Sequence, residues 1–423
     1  MTTNYPTTRI ERLLLMLTLV LMPLEDQLPT IGDTSMLFLV FALLAAYVLA
    51  TRVRALYRIV LHPLFLTAYI FLFFGFLNEF VRPSPGYEEL SSSAFMIAGA
   101  VLIAALCRDK QALRGGMYAY IGAGIWLAAL LFLTSYGALQ MATAESYQEA
   151  NRARNAIVGQ IPLELDANKM ALYVALGTSA AFALALSSRS LLRRAIFLGV
   201  ALFCLVATFL PMSRGGIVIC LGACSAVVLS FRARRIQALA AAAILGIGIL
   251  SFVPKVVYSR MEVSTGARTQ VYTAAIQSLP QYIAIGVGVN DYWGPWGFDH
   301  GFGVTRAGIS GVMGAHNIFL QVSLYWGLAS LVTLLLLLWQ AARCLPKRCG
   351  DDALSLCLRG VATGVLLSTL FVHTLYDKHF SLALGLLVGA RCWIWPTGTV
   401  RPTKQAHENL HRRDLRPAVA RAA

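Results

Sequence analysis

Long apolar runs, separated by short polar segments, recur along the whole chain. A helix needs about 20 mostly apolar residues to cross the roughly 30 Å hydrocarbon core of a bilayer. Twelve runs approach or reach this length, at residues 10–24, 35–50, 63–81, 91–107, 117–135, 168–187, 195–212, 214–231, 236–253, 316–340, 353–372 and 380–396. The pattern predicts an all-α polytopic membrane protein with about 12 transmembrane helices. No small-residue cleavage site follows the first run, so we interpret it as a retained span rather than a signal peptide.

The polar segments define the predicted domains. These are the first nine helices in residues 1–253, a large loop in 254–315, the last three helices in 316–396 and a basic tail in 397–423, which we expect to be disordered. Within the loop a helix is predicted near 264–279, because Ser264 or Thr265 can cap it and Pro280 can end it. The rest of the loop is rich in glycine and aromatic residues, which predicts an irregular segment.

Charge sets the expected orientation, since loops on the cytoplasmic side retain lysine and arginine. With the N-terminus inside, most of the 35 basic residues fall on the cytoplasmic side, in TRVRALYR, CRDKQALR, SSRSLLRR, FRARR, ARCLPKR and the tail. The net charge of +15 therefore reflects topology and gives no reason to expect nucleic acid binding. The large loop is predicted to face the outside, with both termini in the cytoplasm and the basic tail near anionic lipid headgroups.

Arg214 lies between two apolar runs in the segment FLPMSRGGIVIC, at an outside junction. Ser213 can cap the following helix, and its first N–H groups together with a guanidinium suit a phosphate-like anion. Gly215 and Gly216 would let another group approach the backbone. The alternative is a tight turn whose arginine extends to lipid headgroups.

Further outside residues are candidates for the same site, and each has a structural alternative. Arg268 lies on the predicted loop helix with Tyr272 one turn later, although a solvated surface arginine is the commoner interpretation of such a residue. His316 begins the tenth run beside Asn317, and imidazole can accept a proton near neutral pH. A single histidine at a membrane surface is more often structural.

Candidates in other outside segments are weaker. Arg152 and Arg154 could add positive charge to the anion site or be ordinary loop residues. His373 and Asp377, in the last outside loop, could orient a partner side chain or simply keep that loop polar. Trp293 and its aromatic neighbours could stack on sugar rings or form an interfacial belt.

No metal site or disulfide framework is expected. All eight cysteines fall in predicted spans or on the cytoplasmic side, and none has the histidine or cysteine neighbours of a zinc site. The sequence also has no nucleotide-binding glycine motif on the cytoplasmic side and no outside Asp-x-Asp. We therefore predict that the protein needs no cofactor.

The order and spacing of these motifs resemble the O-antigen ligase and Wzy-type polymerase superfamily of bacterial envelope glycosyltransferases. SRGG with Arg214 comes first, then a loop helix with Arg268 and Tyr272, then GVG at 286–288, then HNIFL at 316–320 with Gly327 beyond it. The resemblance covers about a third of the chain. Two positions depart from the common pattern, since Tyr272 replaces a tryptophan and Trp326 replaces an acid before the glycine.

The resemblance implies a fold and a reaction. The fold is GT-C-like, and such enzymes, which lie in the bacterial inner membrane, transfer a glycan from undecaprenyl diphosphate to an acceptor hydroxyl on the periplasmic face, without metal. In O-antigen ligases, which act in lipopolysaccharide biosynthesis, the donor glycan is O-antigen and the acceptor is a sugar of lipid A-core lipopolysaccharide. By this resemblance His316 is the general base, and Arg214 and Arg268 bind the diphosphate. The weaker candidates would contact substrate: Arg154, Arg152, Tyr272, Asn317, Trp293, His373 and Asp377.

Three other functions compete with the ligase. A Wzy-type polymerase shares the carrier chemistry and the motifs, whereas a protein O-oligosaccharyltransferase usually has a large soluble C-terminal portion. A secondary transporter could also have 12 spans, but its sequence would be expected to show an internal repeat and ionisable residues at mid-membrane. The two halves of this chain show no matching pattern. The sequence therefore favours a glycosyltransferase, most like an O-antigen ligase.

Overall fold

A computed structural model describes residues 7–21, 30–31, 34–134, 167–211, 213–230, 265–306, 309–346, 352–371 and 378–395, and this part of the chain is mostly helical. The helices are α1 (Arg9–Leu21), α2 (Met36–Thr51), α3 (Val53–Val60), α4 (Pro63–Phe80), α5 (Tyr87–Leu106), α6 (Lys110–Thr134), α7 (Ala167–Ser187), α8 (Leu191–Phe209), α9 (Arg214–Ser230), α10 (Thr265–Tyr282), α11 (Val289–Trp293), α12 (Pro295–Asp299), α13 (Ile318–Cys344), α14 (Ala353–Ser368) and α15 (Lys378–Gly389), which continues as a π-helical turn, Ala390–Ile394. Two short antiparallel hairpins pair β1 (Thr30–Ile31) with β2 (Thr34–Ser35) and β3 (Gly303–Arg306) with β4 (Ile309–Val312).

Six of the described helices are each long and apolar enough to cross a membrane, namely α4, α5, α6, α7, α8 and α13. A seventh span arises if α2 and α3, which meet at an angle of 107°, count as one. Helices α9, α14 and α15 are apolar but shorter. The chain is therefore a multi-pass helical membrane protein. The count of 12 spans stays a prediction, since the run at 236–253 lies outside the described residues.

Helix α7 is the centre of the bundle and packs against α6, α8, α9 and α14. Of its hydrophobic window 89% is buried, against 28% for α8. Small residues make this packing close: a Cβ on Gly124 of α6 would stand 2.9 Å from the Cα of Gly177 of α7. Because lipid tails are as apolar as the helices, such close backbone approach is a main source of helix association in membranes.

Helix α13 is interrupted at Gly327, where φ is +75° and ψ is −166°. The loop after α10 fills the interruption: Val287 N–H donates to Leu324 O at 2.6 Å, and Leu328 N–H donates to Ile283 O at 2.6 Å. Any other residue at 327 would place its Cβ 2.6 Å from Ala284 O. The predicted continuous run at 316–340 is thus two helical pieces. The freed backbone groups are tolerated because they are buried in protein and bonded there.

The segment between α10 and α13 is more ordered than the glycine-rich sequence indicates. It contains α11, α12 and the β3–β4 hairpin around a buried aromatic cluster. Tyr292 is fully buried and donates its O–H to Met313 O at 3.1 Å. Burial raises the pKa of the Tyr292 phenol, which keeps it protonated as that donor. The aromatic residues supply the core that the glycines alone could not.

Helix α10 runs to Tyr282 and contains Pro280, so the proline does not end it as predicted. The reason is local: proline removes only its own N–H, and the next turn is still closed by Ile283 N–H donating to Leu279 O at 2.8 Å.

Candidate functional site

Arg214 is the first residue of α9 and is half-buried. The buried Ser213 before it accepts a hydrogen bond from Gly216 N–H at 3.1 Å, which is the cap that the sequence predicts. The Ser213 hydroxyl also donates to Asn168 Oδ1 at 2.8 Å, at the start of α7. The Ser213 cap and the Asn168 side-chain amide together fix the first turn of α9 and therefore the position of Arg214 in the bundle.

Gly215 and Gly216 serve helix packing. A Cβ on Gly216 would stand 2.4 Å from the Cβ of Ala171 on α7, and one on Gly215 would stand 3.0 Å from the Cβ of Phe371. The groups that approach the backbone here are therefore neighbouring parts of the bundle.

His316 lies two residues before α13 and is half-buried. Its φ is +48°, and among the described residues it is the one non-glycine with a positive φ. Such a backbone costs free energy for most side chains and is frequent at functional sites. Asn317 has a structural role, because its Oδ1 accepts hydrogen bonds from Phe319 N–H at 3.0 Å and Leu320 N–H at 3.2 Å.

The turn after α14, residues 369–371, lies between these two helix starts. Thr369 O accepts a hydrogen bond from Ile318 N–H at 3.2 Å, and Phe371 packs on Gly215. The helix starts beside Arg214 and His316 therefore contact the same turn, at one end of the bundle. Nothing in their sequence spacing of about 100 residues predicts this.

Arg268 lies in the first turn of α10, and its side chain is outside the described part of the structure. One turn later Val271 and Ala275 are buried against the first piece of α13, in a cluster with Ile318 and Val322. Helical spacing puts position 268 on the same face as Val271 and Tyr272, which is half-buried. The helix that carries Arg268 thus packs on the helix that His316 precedes.

The remaining predicted site residues divide into two groups. Trp293 is 39% exposed and donates its Nε1–H to Glu89 Oε1 at 3.2 Å, at the start of α5. The other four lie outside the described residues: Arg152, Arg154, His373 and Asp377.

Glu79 is a buried carboxylate that was not among the residues predicted from the sequence. Its Oε1 accepts hydrogen bonds from Trp326 Nε1–H and from Val289 N–H, both at 2.9 Å, and its Oε2 accepts one from Gly86 N–H at 2.7 Å. These bonds tie the end of α4 to the segment after α10 and to the interruption in α13. The signal was an acid in the apolar run at 63–81, since such residues are costly in a membrane and are kept for a reason.

Two neighbours of Glu79 complete this connection. Asn78 Nδ2–H donates to Ile285 O, and Arg82 Nη2–H donates to Gly286 O at 2.6 Å. Gly286 and Gly288 have φ of +80° and +89°, and a Cβ on Gly286 would stand 2.5 Å from Tyr325 O. The GVG motif is therefore glycine because the chain passes against the interruption in α13 in a left-handed conformation.

Comparison with known families decides the identification. The family described as O-antigen ligase (Wzy_C) matches residues 199–337, from α8 to the second piece of α13. This segment of the chain is therefore similar to the O-antigen ligase family. The match covers about a third of the chain and contains Arg214, Arg268 and His316. No curated protein sequence matches the chain.

The O-antigen ligase family acts on O-antigen and lipopolysaccharide glycans in membranes, through glycosyltransferase-like ligases and polymerases. In this chain, residues outside the matched segment also contact it and fix parts of its structure. Thr369 and Phe371 lie beyond it and join its two helix starts, and Glu79 precedes it and fixes the interruption in α13.

His379, at the start of α15, is a second buried residue that the sequence did not indicate. It is 2% exposed, and its ring meets the edge of Tyr173 with centroids 3.6 Å apart. Tyr173 is two residues from Ala171, which packs on Gly216 of the O-antigen ligase domain. In the segment VHTLYDKHF the polar pattern favours His373 and Asp377. The sequence gives no signal that His379, at the start of an apolar helix, is buried against another helix.

We expect Glu79→Gln to destabilise the O-antigen ligase domain by about 1–3 kcal/mol, since the amide NH₂ would face one of three N–H donors that now have an acceptor. The measurement is thermal unfolding of the purified protein in detergent. The exposed Glu88 gives a matched control, and Glu88→Gln should leave the unfolding temperature unchanged. Equal unfolding temperatures for both variants would contradict the role assigned to Glu79.

Proposed function

We propose that this protein is an O-antigen ligase of the bacterial inner membrane. In this proposal it transfers an O-antigen glycan from undecaprenyl diphosphate to a sugar hydroxyl of lipid A-core lipopolysaccharide on the periplasmic face, with both termini in the cytoplasm. The observation that best supports it is that the two helix starts next to Arg214 and His316, both within the segment that matches the O-antigen ligase family, contact the same turn at 369–371.

The proposed chemistry follows from charge. When the bond between the anomeric carbon and phosphate oxygen breaks, negative charge collects on the diphosphate, which leaves with the carrier. Arg214 and Arg268 would bind that charge at the edge of hydrocarbon, where the effective dielectric is low and the interaction is strong. Guanidinium groups that bind the leaving group more tightly as it departs accelerate the reaction, rather than only binding substrate.

His316 would act as general base. It takes the proton of the acceptor hydroxyl as that oxygen bonds to the anomeric carbon, and the diphosphate leaves from the opposite side. A single displacement of this kind inverts the anomeric centre. Asn317 contributes by capping α13, which fixes the backbone beside His316. Arg154, Arg152, Tyr272, Trp293, His373 and Asp377 remain proposed substrate contacts.

The experiment is a reaction of purified protein with polyprenyl-diphosphate glycan and rough lipopolysaccharide. A ligase joins glycan to lipopolysaccharide, whereas a Wzy-type polymerase, the alternative within the family, makes longer glycan on the carrier. A secondary transporter makes neither product. Longer carrier-linked glycan without lipopolysaccharide product would replace the ligase by the polymerase, and no product at all would refute both.

We expect the reaction to proceed without divalent metal, because the proposed arginines supply the positive charge that a metal would otherwise provide. Among the described residues no three His, Cys, Asp or Glu side chains group as metal ligands. Adding EDTA to the reaction should leave the initial rate of transfer unchanged. Loss of transfer that returns on adding Mg²⁺ or Mn²⁺ would show that a metal takes part.

A further inference from the structure

A groove runs along the outer face of α10, opposite the face that packs on α13. Its volume is about 770 Å³. One wall is α10 and the other is formed by the two residues that follow α12, and the lining residues are Thr269, Gln270, Thr273, Ala274, Gln277, His300 and Gly301. This polar groove is separate from the turn at 369–371 and from the helix starts around it.

The chemistry of the α10 groove is neutral and rich in hydrogen-bonding groups. Among the described residues that line it, none is an acid, a lysine or an arginine, in a protein with net charge +15. Thr269, Thr273 and Gln277 follow at intervals of four, which aligns their hydroxyl and amide groups in one row. Hydroxyls and amides both donate and accept hydrogen bonds, which suits the hydroxyl groups of a sugar better than a diphosphate.

His300 gives the second wall a ring that is held in place. Its ring stacks on Trp296 with centroids 4.2 Å apart, and Trp296 in turn stacks on the buried Phe302 at 5.7 Å. His300 Nδ1 lies 2.8 Å from Trp296 O. A carbonyl oxygen can only accept, so Nδ1 carries a proton in this contact, which leaves Nε2 as the ring nitrogen available to the groove.

We propose that the α10 groove binds the donor glycan as a neutral oligosaccharide, beyond the sugar that is attached to the diphosphate. This inference rests on the proposed function. The groove begins at Thr269, one residue after Arg268, the proposed diphosphate ligand, and about 100° further round the helix. From Thr269 to Gln277 it follows α10 for about 12 Å, which accommodates more than one monosaccharide. A glycan that starts at a diphosphate near Arg268 would therefore pass round the first turn of α10 and then extend along this row of hydroxyl and amide groups.

The test compares two donors with purified protein: polyprenyl diphosphate carrying the full repeat-unit glycan and the same carrier with one sugar. Gln270→Ala/Gln277→Ala should lower kcat/KM about tenfold for the long donor, as expected for the loss of two modest hydrogen bonds, and leave the single-sugar donor unchanged. Both glutamines are exposed, so the variant should fold normally. Gln281→Ala, an exposed glutamine on the same helix outside the groove, is the matched control.

A binding measurement separates this inference from the proposed function. Saturation-transfer NMR with the oligosaccharide that mild acid releases from the carrier should show binding to the wild type and not to Gln270→Ala/Gln277→Ala. If the wild type transfers glycan and the double variant keeps the wild-type kcat/KM on both donors, the role of the groove is overturned and the proposed function is not. A dependence on acceptor length instead of donor length would also overturn it. Binding of oligosaccharide without any transfer would overturn the proposed function and leave the groove.

Discussion

His316→Ala should reduce glycan transfer by about 10²–10⁴-fold, the usual contribution of a general base. The acceptor hydroxyl would then have no group to take its proton as it attacks the anomeric carbon. The measurement is the initial rate of lipopolysaccharide modification by purified protein, together with surface O-antigen in a ligase-deficient strain. Protein level should match the wild type, because His316 is half-buried and precedes α13 rather than lying within a helix.

The backbone at His316 calls for a second variant. With φ at +48°, alanine could disturb the chain before α13 and lower activity for that reason alone. Asparagine tolerates this conformation well and has no basic nitrogen, so His316→Asn keeps the geometry and removes only the base. We expect His316→Asn to be as inactive as the alanine variant. Near-normal O-antigen on cells that carry His316→Asn would defeat the assignment.

Arg214→Lys should lower transfer by about 10²-fold, similar to the removal of one charge-stabilising donor from an active site. Lysine keeps the charge but cannot form the two parallel hydrogen bonds of a guanidinium with a diphosphate. Because the negative charge grows in the transition state, kcat should fall more than KM rises. Steady-state kinetics with polyprenyl-diphosphate glycan measure both values.

Arg189→Lys is the matched control for this substitution. Arg189 is exposed in the short connection between α7 and α8, at the opposite end of α8 from Arg214. It should keep wild-type kcat and KM. If Arg214→Lys retained wild-type kcat, Arg214 would be a packing or headgroup residue and not a ligand of the leaving group.

Much of the helical framework follows from hydrophobic length, because a bilayer requires long apolar helices whatever their neighbours. The Ser213 cap was also predictable, since the serine and the following glycines are adjacent in sequence. The interruption of α13 was not predictable, because a single glycine such as Gly327 also occurs in uninterrupted membrane helices. It becomes intelligible only with the loop at 283–288 packed against it.

The candidate site shows the same division. Arg214 and His316 could be selected by residue type and by their positions at the ends of apolar runs. Their proximity depends on Thr369 and Phe371, which are ordinary residues in sequence. Glu79 could also have been selected, as an acid near the end of the apolar run at 63–81. Its role could not be predicted, because its three donors come from residues 86, 289 and 326.

The most direct test of the proposed mechanism is a cryo-electron microscopy map of the purified protein in nanodiscs with polyprenyl diphosphate. We predict density for the diphosphate against the guanidinium groups of Arg214 and Arg268, with the His316 imidazole beside the position of the first sugar. A diphosphate bound elsewhere, or these three side chains too far apart to contact one ligand, would contradict it.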